Sequence, residues 1–250
     1  MASLPSTHVI IREMVHFRNL TSVEAMRTDS FTYRDLCRGE WLSSLAMALF
    51  LLGGAYVAEH FANTYAFDYL LRSTSNYVGD LILDAIPVVD LNFIIVEGAF
   101  LAILLGSLLV FSRPRYVLFS LKALALFIMI RAFFISLTHV GIHPDSLDPG
   151  LGFFNAIYVY LNFQVGLFFS AHTGLPFLFA LIFWEMRRVR YALIALSGVF
   201  AVAVLLAHIH YSIDVFAAPF MAYGIFKIAA FLFPKDYQLI SPPPVHLPRP

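Results

Sequence analysis

Six apolar stretches, each near the length of a bilayer-crossing helix, constrain this chain more than any other feature. They run about Trp41–Phe61, Asn92–Ser112, Tyr116–Leu137, His172–Met186, Tyr191–His208 and Asp214–Phe233. Crossing a hydrocarbon core takes roughly 17–25 helical residues. The fourth stretch is short by that measure and is expected to start earlier, within Tyr158–Ser170. The runs are continuous rather than alternating, which excludes barrel strands. Lipid offers no partner to an unpaired amide, so each crossing has to be helical. With 60% hydrophobic and 13% charged residues, the chain is far more apolar than a soluble domain, at about 45–50% and about 25%. The expected fold class is all-α: a polytopic membrane protein built as a six-helix transmembrane bundle.

Charge gives this bundle a direction. Residues 1–40 carry Arg12, Arg18, Arg27, Arg34 and Arg38; the second short loop reads Arg113-Pro114-Arg115; the fourth reads Arg187-Arg188-Val189-Arg190; and the tail has Lys235 and Arg249. Only Arg72 lies between the first two helices, and 138–171 and 209–213 hold no lysine or arginine. Positive charge marks cytoplasmic loops, so both termini are expected inside. The expected organisation is a cytoplasmic segment 1–40, a transmembrane catalytic domain 41–235, and a proline-rich tail 236–250 that is extended or disordered. Residues 1–40 show no basic region followed by an apolar core, so no cleavable signal is expected there. Thr21 or Ser22 before Glu24 is a weak helix start within an amphipathic cap. A net charge of zero gives no basic field for nucleic acid. Cys37 is the one cysteine, which excludes an intramolecular disulfide or a thiolate cluster.

The chemistry gathers on the outer side. His210 and Asp214 stand four residues apart in Ala207-His208-Ile209-His210-Tyr211-Ser212-Ile213-Asp214, and His172 sits in Ser170-Ala171-His172-Thr173. Ionisable groups cost roughly 2.5–3.5 kcal/mol at the centre of a bilayer and are kept there mainly for function. If a helix begins near His210, that histidine and Asp214 share one face. A carboxylate on one imidazole nitrogen sets the tautomer and leaves the other free as base or nucleophile. His172 opposite would protonate a leaving oxygen. These roles suffice for double-displacement phosphoryl transfer through a phosphohistidine. The competing account is of interfacial histidines satisfied by water or headgroups.

Those two histidine motifs resemble the pair found in the sphingomyelin synthase family, a branch of the lipid phosphate phosphatase superfamily. Gly79-Asp80-Leu81-Ile82-Leu83-Asp84 resembles that family's Pro-Asp-centred motif before the second helix, and Arg131 in Ile130-Arg131-Ala132-Phe133 resembles its arginine near the end of the third. The similarity covers about residues 40–235. It implies an integral membrane transferase that moves phosphocholine or phosphoethanolamine from a glycerophospholipid donor to ceramide or a similar lipid alcohol. His210 is then the nucleophile, Asp214 its orienting partner and His172 the acid and then the base, in a site open to the exoplasmic face. The resemblance implies no metal or other cofactor, and the sequence offers no further cluster to hold a metal. Four positions depart from the pattern: Ala171 replaces the glycine of Ser-Gly-His-Thr, and Gly166 replaces an acidic residue. Val204 stands where the phosphatase branch has arginine, and Ala132 follows Arg131 in place of that branch's proline motif. Less phosphate-binding charge favours the synthase branch over a phosphatase acting on soluble phosphates.

Candidate substrate-binding residues are Arg131, Glu97, Ser170 and Tyr211. Arg131 reads either as a bidentate phosphate ligand or as a cation snorkelling to the outer headgroups. Glu97 pairs with Arg131 or a histidine, binds a cationic headgroup, or bonds a neighbouring helix. Lys122 and Lys227 read as snorkellers. His208, two residues from His210, points elsewhere on a continuous helix. Asp80, Asp84, His139, His143, Asp145 and Asp148 fall in outer segments near the headgroup entrance. Tyr158, Tyr160, Phe163, Phe168 and Phe169 suit a membrane-interface belt. Two rival functions remain: a lipid phosphatase or phospholipase C-like hydrolase using the same residues, and a transporter or scaffold without turnover. No internal repeat of the transporter kind is visible.

Overall fold

A computed structural model describes residues 31–72, 77–137, 140–147 and 168–241. The described chain is helical, and no strand occurs among those residues. A short helix α1 (Tyr33–Leu36) precedes the long α2 (Gly39–Arg72). A π-helical turn, Phe93–Glu97, runs into α3 (Gly98–Phe111). Then follow α4 (Pro114–Leu137), α5 (Ala171–Ile182), α6 (Arg187–Leu206), α7 (Ser212–Leu232) and α8 (Pro234–Gln238). Five of these are long and apolar enough to cross a membrane: Gly39–Tyr69, Phe93–Phe111, Pro114–Leu137, Arg187–Leu206 and Ser212–Leu232.

The fourth predicted crossing is corrected. Helix α5 has only 12 residues, about 18 Å at 1.5 Å per residue. It does not extend upstream: residues 168–170 are non-helical, and Ser170 caps the helix. Its far end comes early too, at Ile182 rather than Met186. The cap is physical: Ser170 Oγ accepts the Thr173 amide at 3.4 Å, satisfying a donor that the first turn leaves orphaned. Pro176 within α5 adds a break, because it has no N–H to offer the His172 carbonyl.

Helix α4 is the axis of the bundle. It packs most extensively along α2, while α5 lies between α6 and α7. Aromatic pairs dock α4 onto both ends of α5: Tyr116 stacks on Phe183 at 4.5 Å, Phe127 meets Phe169 edge-on at 5.2 Å, and Phe134 stacks on Phe168 at 4.7 Å. Between these, Gly174 lets α5 approach so closely that a methyl group there would lie 3.0 Å from the Phe127 ring. The outward surface is apolar, with Phe50, Phe220 and Phe231 80–82% exposed. Contiguous apolar surface of this kind marks contact with lipid, and the protein is a multi-pass integral membrane protein.

One end of the bundle is closed by a buried ion pair. Lys122, 1% exposed, donates to Asp236 and to Ser44 Oγ (2.7 Å), and Ser44 donates to the other Asp236 oxygen at 2.8 Å. Lys122 is therefore no snorkeller: the nearby carboxylate of α8 holds it inside. Lys227 is exposed and lies over the Tyr223 ring. The expected tail boundary after residue 235 falls inside α8, and Asp236, Leu239 and Ile240 are buried. Residues 1–30, with Thr21, Ser22 and Glu24, and the tail residues 242–250 lie outside the described residues.

Removing one partner of a buried pair leaves an uncompensated charge and costs about 3–5 kcal/mol. Asp236→Ala should therefore lower the thermal unfolding temperature of the detergent-solubilised protein sharply. The double change Lys122→Met with Asp236→Leu should recover most of that loss.

Candidate active site

Helix α6 ends in a turn that decides where His210 goes. The His208 amide donates to the Leu205 carbonyl (3.0 Å) and the Ile209 amide to the Val204 carbonyl (3.1 Å), the paired bonds of a Schellman motif. The chain then reverses through extended Tyr211, the N-cap of α7, which begins at Ser212. His210 thus precedes the helix and does not share its face, contrary to the sequence expectation. Its ring folds back over the first turn, placing Nδ1 3.3 Å from Asp214 Oδ2. The partner is the expected one; the route is a turn, because the Schellman bonds use up the residues through Ile209.

Helix α5 brings the second histidine. The Ser170 amide donates to the Asp214 backbone carbonyl at 3.0 Å, which draws the start of α5 against the start of α7. His172, in the first turn of α5, comes to face His210 with ring centroids 6.3 Å apart. His210 and Asp214 are buried and His172 is half-buried. His172 Nδ1 has no hydrogen-bond partner among the described residues. Two helix N-termini thus converge on the histidine pair, and their dipoles favour an anion there.

The pair lies at the head of an apolar cavity of about 390 Å³. Tyr56, Phe100, Ile103, Phe127 and Phe200 help to form its wall, and its lining runs along α4 from Ser120 to Arg131. From Ser120 to Arg131 is eleven helical rises, about 16 Å, the scale of a long acyl chain. Ala171 lies in the wall beside His172, so its methyl group trims the chamber.

Arg131 is also in this wall, buried, and its guanidinium donates to Glu59 of α2. Buried in this pair, Arg131 is held inside the bundle rather than snorkelling. Sequence reasoning missed Glu59, although the signal was present: it is the one carboxylate in the predicted first crossing, Trp41–Phe61. Glu59 Oε2 has no hydrogen-bond partner among the described residues. Glu97 sits half-buried at the end of the π-helical turn.

Ser170 and Tyr211 have architectural partners. Ser170 is the α5 cap just described. Tyr211 donates through its hydroxyl to the Gly141 carbonyl (2.8 Å) and accepts from the Val78 amide (3.2 Å), tying the segments that hold Val78 and Gly141 to the start of α7. Asp80 does the same from the other direction. Its Oδ2 accepts the Ser212 amide at 2.7 Å, while Oδ1 accepts those of Ile82 (3.0 Å) and Leu83 (3.2 Å). His208 is buried and faces His143, with Asp145 and Asp84 nearby. His139, Asp148, Tyr158, Tyr160, Phe163 and Gly166 lie outside the described residues.

Burial works to raise the Asp80 carboxyl, but the hydrogen bonds from Ser212, Leu83 and Ile82 outweigh it and hold the group below its ordinary value. A depressed carboxyl stabilises the fold above the unfolded-state value, near pH 4, and that stability fades as pH falls through the folded-state value. Asp80→Ala should lower stability by about 2 kcal/mol at neutral pH and flatten the acid limb of an unfolding-temperature profile below about pH 5. An unaltered acid limb in the variant would count against this reading. No protein-family model, curated protein or solved structure matches this chain.

Proposed function

We propose that this protein is a lipid headgroup phosphotransferase of the sphingomyelin synthase type. The observation that carries the reading is the His210–Asp214 pair facing His172 at the head of a long apolar cavity. In the first half-reaction His210 Nε2 attacks the phosphorus of a glycerophospholipid. A P–N bond forms, the bond from phosphorus to the glycerol oxygen breaks, and His172 gives that oxygen its proton, releasing diacylglycerol. Asp214, on Nδ1, stabilises the positive charge that builds on the ring. In the second half-reaction neutral His172 takes the hydroxyl proton of ceramide or a similar lipid alcohol. That oxygen attacks phosphorus and the P–N bond breaks, restoring His210. Two helix N-termini offset the phosphate's negative charge throughout.

The cavity supports a lipid substrate over a soluble phosphate ester, since a small polar ester has no use for about 16 Å of apolar wall. Its charge pair suits a zwitterionic headgroup: Arg131 for phosphate oxygens and Glu59 for the choline or ethanolamine cation. The orientation follows the positive loops. Arg113, Arg115, Arg187, Arg188, Arg190 and Lys235 support an orientation with both termini in the cytoplasm and the histidines on the exoplasmic side, α5 then serving as a sixth, shortened crossing.

Purified protein in mixed micelles, given headgroup-labelled phosphatidylcholine or phosphatidylethanolamine, should transfer label to lipid product only when ceramide is supplied. His210→Ala should cut that rate by about 10³-fold or more with the unfolding temperature little changed. Water-soluble phosphorylated headgroup appearing regardless of ceramide would replace the transferase with a hydrolase. Equal turnover by His210→Ala would remove the nucleophile assignment. Glu59→Gln should weaken use of donors with a cationic headgroup by about tenfold, the loss of one charge-assisted contact, while sparing phosphatidic acid.

A further inference from the structure

His208 occupies a position that a histidine has no backbone reason to hold. It is the left-handed residue of the Schellman turn, φ +54°, and the one non-glycine residue with positive φ among those described. Glycine is the usual occupant, and an L-residue there costs roughly 1–2 kcal/mol. Nor does its ring repay the strain with hydrogen bonds. The side chain is 3% exposed, yet neither Nδ1 nor Nε2 has a hydrogen-bond partner among the described residues. Two buried, unpaired ring nitrogens on a strained residue point to a missing partner.

What surrounds that ring identifies the partner's chemistry. His143, also buried, lies edge-on to His208 with centroids 4.9 Å apart. One ligand atom each from His143, Asp145 and His208 fall within 4.8 Å of one another. His143 Nδ1 accepts the Asp145 amide at a long 3.2 Å, a bond it would exchange for the cation. Its other nitrogen, Nε2, is 3.9 Å from Asp84 Oδ1. A carboxylate behind the non-ligating nitrogen is the usual support of a metal-bound histidine.

We propose that His143, His208 and Asp145 bind a divalent zinc-like cation. Two imidazoles and one carboxylate suit zinc, with a fourth position left for water. Ligand atoms around tetrahedral zinc stand about 3.3 Å apart, as bond lengths of 2.0–2.1 Å require. Closing from 4.8 Å or less asks for a small movement, which exposed Asp145 on its loop can make. The cation staples the 140–147 loop to the turn after α6, two residues ahead of His210. Two neighbouring bonds already join the same parts: Leu147 N–H to the Ala207 carbonyl at 3.1 Å and Tyr211 hydroxyl to Gly141. The assignment stands apart from the phosphotransfer reading, because it uses none of that site's three residues.

The test uses the full chain without a polyhistidine tag, stripped with chelator in detergent and titrated with zinc chloride by calorimetry, with cobalt(II) as a spectroscopic probe. One zinc per chain, a tetrahedral-type cobalt spectrum and a zinc-dependent rise in unfolding temperature are expected. Asp145→Asn should weaken zinc by about tenfold or more. His208→Gly is the decisive variant, since it deletes a ligand while relieving the left-handed strain. It should fold with an unfolding temperature at or above that of the metal-free parent, yet lose stoichiometric zinc and the zinc-dependent rise. Failure of the parent to take up zinc, or undiminished uptake by His208→Gly, overturns the proposal.

Discussion

Asp214 is the residue on which the histidine end of the molecule depends, because it bonds in two directions at once. Its backbone carbonyl accepts the Ser170 amide and so fastens the start of α5 to the start of α7. Its carboxylate meets Nδ1 of His210 and so orients the ring that the preceding turn delivers. The first bond sets the distance between two helix ends; the second sets the direction of a side chain. Together they bring two histidines from separate segments face to face. Loss of either would leave the imidazoles in place on the chain without a common target.

The same constraint, that polar groups in an apolar medium must find partners within the protein, shapes both ends of the bundle. Lys122 and Asp236 neutralise each other with Ser44 as a third member. Arg131 and Glu59 do so across α2 and α4 in the cavity wall. The first set is closed, since Asp236 has both oxygens engaged, whereas the buried Glu59 Oε2 has no hydrogen-bond partner among the described residues. Loop residues obey the rule too: Asp80 and Tyr211 spend their hydrogen bonds on backbone groups of neighbouring loops.

Much of this was legible in the residues. Continuous apolar runs announced membrane helices, since their length and lack of alternation leave no other backbone solution. Residues with a strong local signal fared best: the His210–Asp214 spacing named its own pair. What failed were statements that required knowing a partner. Lys122 read as a snorkeller because Asp236 is 114 residues away. Arg131 read as a phosphate ligand or a snorkeller, because Glu59, 72 residues away, gave no local sign that it would face it. Helix α5 was expected to continue upstream because apolar composition persists there, while the cap at Ser170 is a matter of local geometry.

By itself, the order of residues determined the helical membrane class of the molecule and five of its long apolar helices, because hydropathy is a property of the chain read locally. Only the folded bundle decided which groups meet. The turn after α6 carries no glycine to announce it; His208 takes the left-handed position instead, and that turn sends His210 back onto Asp214 while His208 goes towards His143. Convergence of this kind depends on packing between helices distant in sequence, and on backbone bonds between any residue types, which leave no mark in composition or spacing.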